Sequence, residues 1–221
     1  MLDHKKRYLQ IAFNYDLDQA LQILPFIPKS DRIIIEAGTP FIKREGIKGI
    51  KALRRHWPET IVADLKISDG AIGEISLIEQ AHANGGTVLG SSPTETLNIF
   101  IEQCKEKGLY SMIDMLGVSD PLKALMKLKA KPDVVIIHMG RDEEITRGKI
   151  IEYKHVNKIK SKFDVLISAA GGMDVKKARS AIFNGANIVV VNVVSPGDLW
   201  IGMSSAGDIA QISQEFLKTI G

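Results

Sequence analysis

The chain has 221 residues, 45% of them hydrophobic and 25% charged, with a net charge of +3. That length is enough for one large core, the balance is that of a soluble globular protein, and no run approaches a membrane span. Lys and Arg are scattered, as in IKALRRHW and KALMKLKAKPD, which reads as solvated helix faces and excludes the basic footprint of a nucleic-acid binder.

The opening MLDHKKRYLQ carries charge but no apolar core, so no signal peptide is expected. Short Val- and Ile-rich runs then recur at 8–14, 32–38, 60–66, 87–91, 110–116, 133–140, 164–172 and 187–194. Runs of this length and content suit strands buried on both faces of a parallel sheet. Helical patterns lie between them. Residues 42–57 carry Ile42, Ile47, Ile50 and Leu53 at mostly helical spacing, 71–86 ends on Gly85 and Gly86 as a helix C-terminus would, and 206–221 is amphipathic. The single Cys104, in FIEQCKEKG, reads as a helix residue. It excludes an intramolecular disulfide or Cys-rich metal site and fits a reducing cytosol. Eight strands, each followed by a helix, in one domain spanning 1–221 have the dimensions of a (β/α)8 TIM barrel. A doubly wound open sheet is the alternative, but no Gly-x-Gly-x-x-Gly follows the first strand.

Barrels of this kind place their chemistry at the C-terminal ends of the strands. Polar residues collect there: Asn14, Glu36, Asp64 with Lys66, Asp114, His138 with Asp142, and Asn192. Asp64 and Lys66 are two apart, so they share a side of their strand, and Asp69 follows in the loop. A charged pair satisfying itself in the barrel mouth is the bland alternative for that strand. His138 is the one His of five at a strand end; it suits proton transfer near neutral pH, with a merely packed His as the alternative.

The stretch EAGTPFIKREGIKGIKAL, followed by ADLKISDG, resembles the orotidine 5′-phosphate decarboxylase superfamily. Within it, the branch containing 3-hexulose-6-phosphate synthase and 3-keto-L-gulonate-6-phosphate decarboxylase is most similar. The shared marks are Asp-x-Lys-x-x-Asp (Asp64, Lys66, Asp69), Glu-x-Gly-Thr-Pro (Glu36, Gly38, Thr39, Pro40) and His-x-Gly-x-Asp (His138, Gly140, Asp142). A Gly-Gly turn (Gly171, Gly172) completes the set, and the likeness runs from about residue 8 to about 195. The resemblance implies Mg2+, or Mn2+ in its place, on Glu36 and Asp64. It implies a sugar-phosphate substrate whose enediolate the metal stabilises. It gives Lys66 to a developing oxyanion and His138 to proton transfer. It also implies that Asp69 reaches the neighbouring subunit's site, hence a homodimer with shared sites. Asn14, Asp114, Asp142, Gly171, Gly172 and Asn192 are then substrate-binding candidates.

Two places depart from the family pattern. Relatives carry Asp where this chain has Asn14, and Gly, often Gly-Arg, where it has Asn192 and Val193. Val hinders the close backbone approach that a phosphate needs, so Ser195 and Gly197 are the expected substitute donors. Glu143 and Glu144 read as the start of a solvated helix. Three functions remain open. The first is an aldolase joining formaldehyde to D-ribulose 5-phosphate, or its reverse. The second is a decarboxylase acting on a related sugar-acid phosphate or on orotidine 5′-phosphate. The third is a barrel that binds a ligand without turnover.

Overall fold

A computed structural model describes residues 2–147 and 151–221. The strands are β1 (Tyr8–Phe13), β2 (Ile33–Ala37), β3 (Ile61–Ile67), β4 (Gly85–Leu89), β5 (Tyr110–Asp114), β6 (Val134–His138), β7 (Leu166–Ala170) and β8 (Ile188–Val194). Each pairs in parallel with the next, and β1 also pairs with β8, so the sheet closes into the expected (β/α)8 barrel. Helices α1 (Leu17–Ile23), α2 (Thr39–His56), α3 (Ala71–Gln80), α4 (Thr94–Glu106) and α5 (Pro121–Leu125) follow the first five strands. After β6 come α6 (Arg141–Arg147) and α7 (Val156–Lys160), after β7 comes α8 (Val175–Phe183), and α9 (Ile209–Ile220) ends the chain. Among the described residues no helix is long and apolar enough to cross a membrane.

Two cores follow from the two-residue period of the strands. Leu9, Ile11 and Phe13 of β1 join the apolar layer between barrel and helices. Tyr8 and Ala12 face inward with Ile34, Val62, Met112, Val134, Leu166 and Ile188. Other buried strand positions are polar: Gln10, Thr87 and Ser168 level with this inner plug, and Glu36, Asp64 and Asp114 at or near the upper ends of their strands. Cys104 is buried in α4, and burial pushes its thiol up to about 12, in line with a packing role.

One boundary differs from the expectation. The helix expected to run to Gly85 and Gly86 stops at Gln80, and both glycines begin β4. The stop is made by His82 at φ +57, while the Ala83 N–H donates to the Ile78 carbonyl. The glycines are there for packing: a Cβ on Gly85 would come 2.7 Å from Tyr110, and one on Gly86 2.3 Å from Ile78.

The end of β8 shapes the site. As expected from the 187–194 run, the strand continues past Asn192 to Val194, and Val193 and Val194 pair with β9 (Met203–Ser204). Ile188 and Val190 face inward, so the two-residue period turns Val193 outward. Val193 is therefore in the outer apolar layer, 1% exposed. It faces away from the barrel mouth, and an Arg at that position would be buried rather than aimed at a ligand.

Candidate active site

The upper ends of the strands enclose a cavity of about 230 Å³. Of the expected residues, Asn14, Glu36, Asp64, Lys66, Asp114, His138, Gly171 and Asn192 line it. Asp69, Asp142, Gly172 and Ser195 do not. Asp69 is exposed just before Gly70, which opens α3, and Asp142 is exposed in the first turn of α6. Ser195 is committed elsewhere: its N–H donates to Asp198, and its hydroxyl accepts from Gln19 Nε2 at 2.9 Å.

Asp64 and Lys66 meet through more than the strand's pleat. The β3–β4 register shifts between Ala63 and Ile67, and Lys66 sits at φ +50, a left-handed conformation costly for a residue with a Cβ. The Lys66 N–H is held there by Thr87 Oγ1 at 2.9 Å, and the same hydroxyl donates to Asp64 Oδ1 at 2.8 Å. Thr39 Oγ1 donates to Asp64 Oδ2 at 2.8 Å. Lys66 Nζ bonds both Asp64 oxygens (2.8 and 2.7 Å) and reaches Asp114 Oδ2 at 3.0 Å. His138 Nδ1 donates to the two oxygens of Asp114 at 2.9 and 2.8 Å. Thr87 carried no strand-end signal; its inward position on β4 could have been read from the period of two. Thr39 stood within a noted motif, but its contact to Asp64 needs the folded barrel.

The electrostatics follow from burial. Burial draws the Lys66 ammonium down, but the Asp64 and Asp114 carboxylates outweigh it and hold the pKa above its usual value. Burial likewise raises Asp114, yet His138 and Lys66 pull it to about 2. Glu36 lacks such a partner. Its own burial, then the charge of Asp64, raise it to about 7, although Gln10 Nε2 donates to it.

Mg2+ fits this donor set. Glu36 and Asp64 are buried carboxylates that repel each other, and Gln10, which lines the same cavity, has its Oε1 buried without a partner. All three offer hard oxygens. Among the described residues no group of three or more His, Cys, Asp or Glu gathers for a metal. With Glu36, Asp64 and Gln10 as its protein ligands, Mg2+ would keep positions for water or substrate oxygens, as it prefers.

At the opposite rim the two departures from the family pattern touch each other. Asn14 Nδ2 donates to Asn192 Oδ1 at 2.9 Å, across strands that pair in the barrel seam. Gly171 and Gly172, at φ +117 and +48, make the turn after β7. Glu144 is not the solvated residue expected. Its carboxylate lies against Gly172, where a Cβ would come 1.9 Å from Oε1, and it pairs with Lys177 Nζ at 3.4 Å. Lys177 also donates to the Gly172 carbonyl at 2.7 Å.

A closed parallel barrel with buried acids, a lysine and a histidine at its C-terminal rim defines a (β/α)8 barrel with an enzyme-type site. The chain belongs to the Orotidine 5'-phosphate decarboxylase / HUMPS family, whose pattern matches residues 7–192. It is 36% identical over 218 residues to the Bifunctional enzyme Fae/Hps of Methanoregula boonei, covering 96% of this chain and 52% of that protein. The protein of the same name from Methanocaldococcus jannaschii is 41% identical over 176 residues, 79% of this chain and 44% of the relative. The chain thus spans about half the length of these curated relatives. Among solved structures, 3-hexulose-6-phosphate synthase from Salmonella typhimurium superposes with a TM-score of 0.83 at 28% identity, covering 96% of this chain and 98% of that one.

Proposed function

We propose that the chain is an aldolase of the 3-hexulose-6-phosphate synthase type, joining formaldehyde to C1 of D-ribulose 5-phosphate or splitting the product in reverse. The observation that carries this reading is the unbroken line of contacts Asp64–Lys66–Asp114–His138 beside Glu36 in one cavity. The synthase-type relatives support the same reading.

Glu36, Asp64 and Gln10 Oε1 would hold Mg2+, which, when bound, supplies Lewis acidity toward the sugar carbonyl. With Nδ1 donating to Asp114, a neutral His138 carries its lone pair on Nε2. That nitrogen takes the proton from C1 of the sugar. Lys66 donates to the oxygen that gains charge as the C1–H pair moves into the enediolate. C1 then attacks formaldehyde; its C=O pair becomes an alkoxide, which receives the proton from His138. The sugar phosphate lies toward the turn at Gly171 and Gly172, the usual phosphate end of such barrels. Asp69 serves the neighbouring subunit's site in a homodimer.

The test is formaldehyde consumption by the purified protein. Loss of formaldehyde that needs both ribulose 5-phosphate and Mg2+ or Mn2+ is the expected result. No such loss by folded protein would end the aldolase reading, and release of CO2 from a keto-acid phosphate instead would make it a decarboxylase.

A further inference from the structure

The cavity has two cations in its lining, Lys66 and Arg141. Lys66 is committed to Asp64 and Asp114. Arg141 is different. Its guanidinium stacks on the Trp200 ring at 4.6 Å from the centroid, and Nη2 reaches only the neutral Asn192 Oδ1 at 3.5 Å. Among the described residues no carboxylate pairs with it. An arginine held flat on an aromatic ring keeps its N–H edge free, and that edge matches the oxygens of a phosphate. Its neighbours in the cavity wall are Asn192 of β8 and Gly171 just after β7, a turn at φ +117 packed so closely on Met139 that a Cβ would come 2.5 Å from its carbonyl oxygen. Strand β8 itself brings no cation here, because Val193 is buried in the outer layer.

We infer that Arg141, braced by Trp200, grips the anionic end of the substrate, a phosphate monoester, at the β7–β8 rim. This rests on the sugar-phosphate reading above. Arg141 opens α6, just after β6, so the phosphate-holding charge reaches the rim from a loop next to β7. Trp200 is a positioning residue that acts through Arg141. The segment between β8 and β9 has a purpose in this arrangement: it carries the ring on which the guanidinium rests.

The experiment is calorimetric titration of the unaltered chain, Arg141→Ala, Arg141→Lys, Trp200→Leu and Trp200→Phe with D-ribulose 5-phosphate, D-ribulose and inorganic phosphate. Arg141→Ala should weaken ribulose 5-phosphate by about tenfold or more and abolish inorganic phosphate binding, while ribulose shifts by less than about twofold. Arg141→Lys should recover part of the loss, since a point charge replaces a fork. Trp200→Leu should weaken only the phosphorylated ligands, and Trp200→Phe should restore them; a merely structural role would move ribulose as well. Equal weakening of both sugars by Arg141→Ala, unchanged ribulose 5-phosphate binding, or no phosphate-dependent binding by the unaltered chain would each overturn the proposal. If Arg141-dependent binding is found but formaldehyde is not consumed, the aldolase reading fails and the phosphate grip stands.

Discussion

Lys66 and Asp114, forty-eight positions apart in the chain, form an ion pair of 3.0 Å across the barrel mouth. The same carboxylate holds His138. One aspartate thereby sets the position of both the cation and the proton carrier of the proposed reaction.

Asp114→Asn should therefore lower kcat by about 10²–10⁴-fold, with a smaller change in KM, because it leaves the binding groups in place. It should also cost on the order of 3 kcal/mol at neutral pH, since one partner of a buried pair is lost. The Asp114 pKa is depressed from 3.8 to about 2, so its contribution is present above pH 3.8 and lost as pH falls through 2. Denaturant melts should show the two proteins converging on acidification. A stability gap that stays constant to pH 2 would remove the charge pair as its cause.

Glu36 predicts the opposite pH trend in metal-free protein. Its pKa is raised from 4.5 to about 7, so the contribution of its neutral form is complete below pH 4.5 and lost as pH rises through 7. In chelator, stability should fall by about 3 kcal/mol between pH 5 and 8. Glu36→Gln should flatten that fall, and Mg2+ should restore the unaltered protein but not the variant. Thermal melts with and without Mg2+ decide it; parallel pH slopes for both proteins would count against the assignment.

Asp69 is exposed and does not line its own cavity; the proposed homodimer would give it to the neighbouring subunit's site. Mixing Asp69→Ala with Lys66→Ala under conditions of subunit exchange should return part of the lost activity, because some hybrid dimers hold one intact site. Exchange proven by mass spectrometry without any return of activity would rule out a shared site.

Glu144 places a carboxylate against Gly172, where a phosphate dianion would have to approach. Glu144→Gln should tighten ribulose 5-phosphate binding by about threefold to tenfold, through loss of repulsion and release of Lys177. Ribulose should be unaffected. Weaker binding of the phosphorylated sugar in calorimetry would show instead that Glu144 supports the turn.

The strands were legible because their signal is local. A run such as 187–194 carries its own two-residue period, and that period alone puts Glu36, Asp64, Asp114 and Asn192 on the inner face. The family pattern around Asp64 and His138 was legible for the same reason: its residues sit within a few positions of one another. Other features depended on closure. Asn14 meets Asn192 only because β1 pairs with β8, and no spacing between residues 178 apart announces it. Val193 is outward by the same period, but that Arg141, from the loop after β6, reaches Asn192 instead needed the folded barrel. Arg141 lies on Trp200 and Glu144 on Gly172 through the packing of loops from different strands. Periodicity is written in neighbouring residues, but which loops share a rim is decided by the register at which the barrel closes.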